Sequence, residues 1–163
     1  MNEERFWGMI ETAWHAAAPQ AAATRAKLLE DRDDRDDLSW EVSESAELML
    51  GALRSKLAQL PQEELLAFDR ILERSLHEID REEIHEVTEG SDDGFLYCRG
   101  FIVAVGRTYY AAVRKDARWA VVDAECGSMP YVSFHVFAER FGEDAWVPSD
   151  ISRESFSNPD GWR

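Results

Sequence analysis

Two apolar stripes separated by a proline constrain the fold of this chain more than any other feature. Large apolar residues recur every three or four positions over residues 46–60 and again over residues 65–79, which is the period of an amphipathic helix. Between the stripes, Leu60-Pro61 followed by glutamates is typical of one helix ending and the next beginning, because proline is tolerated in a first helical turn. Two long helices joined by so short a turn should lie antiparallel. We therefore expect a helical hairpin over about residues 46–80.

The segments that flank this hairpin are also mainly helical in pattern. Residues 2–17 place apolar side chains on one face behind an asparagine cap, and residues 131–142 do the same and close on a glycine. Residues 121–126 fit a short strand as well as a loop. The chain is thus predicted to be a mainly α, single compact multi-helix domain over residues 1–144. Residues 145–163, with scattered Pro, Ser, Asp and Asn, are predicted to form an extended C-terminal tail.

The longest apolar run follows an acidic turn, in the stretch Gly90–Arg107. Its many β-branched and aromatic residues favour strands. A helical interpretation instead aligns its apolar residues on one face, with Ser91 or Asp92 as the cap and Asp93 in the first turn. Residue propensity alone leaves residues 95–110 open between a helix and a β-hairpin.

Several short motifs occur together with this stretch, and all are found in one known family. They are Ser91-Asp-Asp-Gly-Phe95, Arg99-Gly-Phe-Ile102, Gly106-Arg107, Phe6-Trp7-x-x-Ile10, Leu60-Pro-Gln-Glu-Glu-Leu-Leu-Ala-Phe-Asp-Arg-Ile71 and the helix Tyr131–Gly142. In content and order they resemble DUF4240, a bacterial family without an established activity. The resemblance implies a mainly helical domain and favours the helix for the central stretch. The chain departs from the family pattern at Phe101, where tryptophan is usual, and over residues 81–90, which are shorter and acidic here.

Five polar residues in or beside the central stretch are the candidate site residues: Asp92, Asp93, Arg99, Arg107 and His85. In one interpretation, the aspartates and arginines form a small-ligand or anion site, or an active site, at the turn Ser91–Gly94. In the other, the acids stabilise a helix start and both arginines point inward to tie helices together. We expect the second, architectural role. His77 and His85 could share one helix face, but their spacing of eight does not suit a metal pair.

Charge indicates which partners this protein can have. The formal net charge is −15, from 18 Lys and Arg against 33 Asp and Glu. Such a charge repels nucleic acid and anionic lipid surfaces, whereas it favours a basic protein partner. Five cations concentrated over residues 99–118 are the exception. We expect them to pair within the fold, with an external anion site as the alternative.

Motifs of catalysis and targeting do not appear in the sequence. There is no nucleophile elbow, phosphate-binding loop, dinucleotide glycine pattern or HExxH. We therefore expect no cofactor and no metal, and a non-enzymatic interaction domain (an immunity-type inhibitor or regulatory adaptor) rather than an enzyme. No apolar run is long enough to span a membrane, and the first residues do not resemble a signal peptide. These features predict a cytoplasmic protein and leave its oligomeric state open. The two cysteines, Cys98 and Cys126, are expected to be reduced thiols.

Overall fold

Eight α-helices make up the regular structure of the computed structural model, which describes residues 1–162. They are α1 (Glu3–Ala17), α2 (Ala22–Lys27), α3 (Arg35–Leu57), α4 (Gln62–Glu78), α5 (Glu82–Thr88), α6 (Asp92–Val105), α7 (Arg107–Lys115) and α8 (Val132–Phe141). Single 3₁₀ turns precede α2, follow α7, precede α8 and follow α8. The mainly α prediction is therefore confirmed, with helix chosen over hairpin in the central stretch. Within residues 1–162, no helix is both long and apolar enough to cross a lipid bilayer.

The helix ends lie where local chemistry places them. The Asn2 side chain accepts a hydrogen bond from the Arg5 amide at 2.9 Å and so caps α1. Pro19 then begins a short 3₁₀ turn after α1 has ended. At the other end of the domain, α8 stops at Gly142, whose φ of +84° is readily adopted only by glycine.

The two helices of the predicted hairpin are present, but they do not pair mainly with each other. α3 packs chiefly along α1, and α4 packs chiefly against α8 and α6. α3 also begins at Arg35, about three turns before residue 46, where the apolar stripe starts. It therefore includes the last part of the charged run over residues 31–37. The sequence therefore predicted the helices and the turn between them, while their packing partners come from distant segments.

The helix α6 lies at the centre of the fold. All of its residues from Gly94 to Val105 are buried except Tyr97. α7 and the turn before α8 pack against it. Gly100 allows the closest of these approaches, because a Cβ atom there would lie 2.6 Å from the Cys126 carbonyl oxygen. Large side chains such as Phe95 and Phe101 fill the surrounding core.

The short strand considered near residues 121–126 is wrong. Residues 121–126 form one turn at residues 122–123 and are otherwise irregular, and residues 1–162 contain no strand with which such a segment could share a ladder. Its backbone amides find other acceptors: Asp123 donates to the Thr88 carbonyl at 3.1 Å, and Cys126 donates to the Tyr97 carbonyl at 3.0 Å. The segment is thus a connection fastened across α5 and α6.

Candidate interaction site

The start of α6 is capped by a serine. Ser91 has extended backbone angles, and its hydroxyl accepts a hydrogen bond from the Gly94 amide at 3.1 Å. Asp92 and Asp93 follow in the first turn, where negative charge is favoured by the helix dipole. Both aspartates are exposed, and neither accepts a hydrogen bond from a backbone amide of residues 1–162. The acids were expected to stabilise this helix start, and they do so only through their charge, because the side chain that accepts the capping hydrogen bond is Ser91.

The two aspartates border a surface cleft of about 440 Å³. Its lining is acidic and aromatic: Asp92, Asp93, Leu96, Tyr97, Tyr131, Glu154, Ser155 and Phe156. The Tyr131 hydroxyl donates a hydrogen bond to Glu154 at 3.0 Å. Partial burial, together with this carboxylate, raises the pKa of Tyr131 to about 12, so it remains a neutral donor. Such a cleft suits a cationic group rather than an anion.

Arg99 does not reach this cleft, because it is completely buried. Its guanidinium donates to the Leu76 carbonyl at 2.9 Å and to the Ser155 hydroxyl at 3.1 Å. It stacks over Phe95 at 4.8 Å, and its nearest carboxylate, Asp80, is 3.9 Å away. Burial lowers the pKa of Arg99 to about 10, against the opposing charge of Asp80. Arg99 thus ties α6 to α4 and to the C-terminal tail.

Arg107 was expected to point inward as well, and this expectation is wrong. Arg107 opens α7 and is exposed, and it makes no ion pair within residues 1–162. Gly106, which has a φ of +119°, turns the chain between α6 and α7. That turn places Arg107 on the outer face of α7, away from the cleft at Asp92.

His85 lies in an aromatic cluster formed by three rings. Phe95, Phe156 and Trp162 surround it with ring centroids between 4.9 and 5.9 Å from its own. His77 belongs to α4 and His85 to α5, so the suggested shared helix face is wrong. The structure therefore separates the predicted site residues into three places: an exposed pair, a buried arginine and a half-buried histidine that both contact Phe95, and an outward arginine.

A row of acids on α4, which sequence reasoning missed, holds the C-terminal tail. The fully buried Asp69 and the nearly buried Glu73 both accept hydrogen bonds from Arg153 of the tail, each at 2.9 Å. Ser133 of α8 donates to Asp69 at 2.7 Å. Arg153 also donates to the Pro130 carbonyl.

Asp80 continues this row just beyond the end of α4. Its carboxylate accepts hydrogen bonds from three successive backbone amides of the tail, at 2.7 to 3.1 Å: Phe156, Ser157 and Asn158. Asp69, Glu73, His77 and Asp80 are spaced four, four and three residues apart. That helical period was visible in the sequence, but its partner segment was not.

The outward face of α3 is a second feature that sequence reasoning missed. Trp40 is 70% exposed and Leu48 is 57% exposed. They lie two helical turns apart on one face, together with exposed acids: Asp37, Glu41, Glu44 and Glu47. None of these carboxylates makes an ion pair within the described residues. The signal was register: Trp40 and Leu48 lie outside the stripe of Val42, Ala46, Met49, Leu53 and Leu57 that α3 buries.

The two cysteine thiols are poorly placed for nucleophilic chemistry. Cys98 and Cys126 are buried free thiols, and burial raises the pKa of each to about 12. Both therefore stay protonated at neutral pH and are weak nucleophiles. No three His, Cys, Asp or Glu side chains among residues 1–162 are arranged to hold a metal ion.

Comparison with known proteins adds one family. The model for DUF4240, described as a protein of unknown function, matches residues 1–139. The chain belongs to the DUF4240 family. No curated protein matched in a sequence search. No solved structure matched either.

The end of the DUF4240 match divides the polar contacts of the tail into two groups. Inside the matched region lie Asp69, Glu73, Asp80 and Arg99. Beyond it lie Arg153 and the backbone amides that donate hydrogen bonds to Asp80. Arg99, inside the matched region, thus contacts Ser155, which lies outside it. The cleft at Asp92 is also completed from outside it, by Glu154, Ser155 and Phe156.

Proposed function

We propose that this protein is a non-enzymatic acidic interaction domain of the bacterial cytoplasm, which binds a basic protein partner through the outward face of α3. An immunity-type inhibitor of a basic toxin and a regulatory adaptor are both functions of this class. The observation that carries the proposal is the exposure of Trp40 and Leu48 on one helix face among unpaired carboxylates. The buried, protonated thiols of Cys98 and Cys126 do not supply a cysteine nucleophile for the alternative of an enzyme.

An exposed tryptophan of this kind is typical of an interface centre. Burial of Trp40 and Leu48 would remove apolar area from water, and tryptophan is enriched among residues that dominate binding energy. Trp40 and Leu48 are eight residues apart, which corresponds to about 12 Å along a helix. That span matches two side-chain pockets or two turns of an opposing helix.

The carboxylates beside these two residues select the charge of the partner. Glu41 and Glu44 lie between Trp40 and Leu48 on the same face, and Glu47 adjoins Leu48. A partner that carries Lys or Arg around an apolar centre would meet opposite charges at the rim, which increases the association rate and discriminates against acidic proteins. The net charge of −15 acts in the same direction at longer range.

The proposal is tested by capture and then by kinetics with the purified partner. Immobilised wild-type protein and the variant W40A/L48A are exposed to extract of the native host, and bound proteins are identified. We expect a basic protein that the wild type retains and the variant loses. With that protein purified, W40A/L48A should raise the Kd about 100-fold, because truncation of the residues that dominate binding energy has effects of this size.

Matched variants separate this face from general surface effects. Val122 and Val147 are also exposed, at 36% and 53%, so V122A/V147A should leave the affinity unchanged. E41Q/E44Q/E47Q should slow association and make it less dependent on salt, with a smaller change in the dissociation rate. The proposal fails if W40A/L48A retains the same partner, or if the captured protein is acidic. It also fails if W40A/L48A abolishes a homodimer, because a second copy would then occupy the face.

The cleft beside Asp92 gives a second candidate function, a small-ligand site. It follows from the three carboxylates of Asp92, Asp93 and Glu154 around the rings of Tyr97 and Tyr131. Such a lining favours a small organic cation, held by charge and by the aromatic faces. Titration with spermidine tests this: D92N/D93N should abolish binding, while D33N/D37N, which removes two acids elsewhere, should not. Equal loss in both double variants would indicate general charge attraction.

A further inference from the structure

The outer face of α7 collects positive charge in a protein that is otherwise strongly acidic. Arg107, Arg114 and Lys115 line one cleft of about 370 Å³. Their positions, seven and eight residues after the first, place all three on the same side of the helix. The cleft is completed by α1 and α7: Glu3, Trp7, Tyr110 and Ala111.

Two of these cations have no partner within the fold. Arg114 pairs with Glu78 at 3.2 Å. Arg107 and Lys115 are exposed, and neither makes an ion pair or a side-chain hydrogen bond within residues 1–162. Neither residue is needed for the helix to form, because Gly106 makes the turn and Tyr109, Tyr110 and Val113 bury the inner face of α7. Packing therefore does not explain why these cations are grouped.

We propose that this cleft binds a small anion carrying two or more phosphate groups. A guanidinium forms paired hydrogen bonds to phosphate oxygens, and a lysine ammonium adds a compact point charge. Arg107 and Lys115 start about 12 Å apart along the helix axis, so long side chains can converge on a chain of linked phosphates while one orthophosphate reaches only one end. The rings of Trp7 and Tyr110, whose centroids are 5.0 Å apart, complete the cleft where α1 meets α7.

Glu3 is the one carboxylate in the lining, and it opposes an anion. It lies in the first turn of α1 and is exposed. Its removal should therefore strengthen binding, a change that a purely structural role for this surface would not produce. The remaining acids act at longer range, and at physiological ionic strength their field is screened over about 8 Å.

Isothermal titration with inorganic tripolyphosphate, in magnesium-free buffer at physiological ionic strength, tests the proposal. The wild type should bind one equivalent, and orthophosphate should bind at least about tenfold more weakly, because each charge-assisted contact contributes an appreciable factor. R107Q/K115Q should weaken tripolyphosphate binding about tenfold or more for the same reason. E3Q should tighten it. Adenosine diphosphate, compared with pyrophosphate, shows whether a nucleotide or a free polyphosphate is preferred.

The matched control removes two cations elsewhere. Lys27 and Lys56 lie on α2 and α3 and make no ion pair within the described residues. K27Q/K56Q should bind tripolyphosphate within about twofold of wild type, because screening confines the effect of distant charges. Equal weakening in both double variants, no measurable wild-type binding, or unchanged affinity in R107Q/K115Q would each overturn the proposal. Circular dichroism of every variant verifies that the fold is retained.

Discussion

Arg153 fastens the C-terminal tail to the acids of α4. It is 8% exposed and holds two carboxylates that are themselves buried, Asp69 and Glu73. These carboxylates raise the pKa of Arg153 against the effect of its burial, so the guanidinium stays charged. Without Arg153, the buried Asp69 would keep only the Ser133 hydroxyl as a donor within residues 1–162, and Glu73 would keep Ser149 and the more distant Arg70, 3.5 Å away.

We expect R153M to reduce the free energy of unfolding by about 3–5 kcal/mol, the range found when one partner of a buried ion pair is removed. Urea unfolding at neutral pH measures this. Arg32, which is exposed and paired with Asp34, provides the control: R32M should leave the free energy of unfolding almost unchanged, because exposed ion pairs contribute little to stability. Similar losses in both variants would show that Arg153 is an ordinary surface arginine.

Asp69 should give the protein a recognisable pH dependence. Burial raises the pKa of this carboxyl, although Arg153 and the Ser133 hydroxyl oppose the shift. Because the pKa of Asp69 is higher in the folded state, folding takes up a proton. The stabilisation that comes from this protonation is therefore fully present below the unfolded-state pKa, and it is lost as pH rises through the folded-state pKa. The stability advantage of wild type over D69N should therefore shrink as pH rises from about 3 toward 7, since Asn resembles only the protonated acid.

Unfolding free energies of wild type, D69N and S133A across that pH range measure this effect. S133A keeps the Asp69 carboxyl but removes a hydrogen-bond donor that favours the charged form of that carboxyl. The pKa of Asp69 should therefore be higher in S133A, and the decline of stability with pH should extend to higher pH than in wild type. A wild-type advantage over D69N that grows with pH would contradict the sign argued from burial.

At the residue scale, the sequence predicts what depends on neighbours in the chain. Asn2, Ser91 and Gly142 act where the pattern placed them, because helix caps involve only the next few residues. Arg99 and Arg107 have the same chemistry and similar settings in sequence, yet one is buried and the other exposed. The difference is set by Asp80 and Ser155, which are distant in sequence, and no local pattern contains it.

At the element scale, the tail is a structural part of the domain. Residues 146–162 contain no helix or strand, but Trp146 packs on Phe134 and Phe137 at about 5 Å between ring centroids. Further on, Asp80 and Arg99 hold the backbone and the Ser155 hydroxyl. The division of the chain at residue 144 stays a prediction, while the contacts show that the last residues stabilise the matched region.

Deletion of residues 148–163 should therefore destabilise the protein by more than the loss of Arg153 alone. It removes Arg153, the amide donors to Asp80 and the two rings, Phe156 and Trp162, that enclose His85. Thermal unfolding measures the loss. A synthetic peptide of residues 148–163 should restore part of the melting temperature when added in excess, since binding to the folded state stabilises it. The same peptide with Arg153 replaced by Met is the control. Unchanged stability of the truncated protein would contradict this role.

The positions of the helices were predicted better than the pairs of helices that pack against each other. Helical period marks a buried face on α3 and α4, but it does not say which helix covers that face. The same stripe fits a partner in the hairpin or in α1 and α8, and the choice depends on the packing of the whole core. The apolar residues of 121–126 had the same ambiguity: burial under α5 and α6 needs apolar side chains without needing a strand.

At the scale of the whole molecule, charge is separated by position. Acids without ion-pair partners occupy the outward face of α3 and the cleft at Asp92, whereas the outer face of α7 is positive. The candidate sites therefore have different charge preferences. The sequence showed the net charge and the concentration of cations over residues 99–118. It did not show that Arg107 and Lys115 lack acidic partners, because both were expected to find acids within the fold.

A net charge of −15 should also leave the folded state with unrelieved repulsion between carboxylates. Added salt screens that repulsion, so the melting temperature should rise as sodium chloride increases from about 10 to about 300 mM, over which the Debye length falls from about 30 Å to below 8 Å. The triple variant D33N/E44Q/E86Q removes three exposed acids that make no ion pair within residues 1–162, which changes the net charge from −15 to −12. Its melting temperature should rise less with salt than that of wild type.

R153M is the opposite control, because it makes the net charge more negative, and its melting temperature should depend more on salt than that of the triple variant. A melting temperature that falls with salt in the wild type would mean that ion pairs such as Arg5–Glu64 and Arg54–Glu139 outweigh the repulsion between carboxylates. It would also mean that the acids of α3 do not repel one another enough to favour a basic partner.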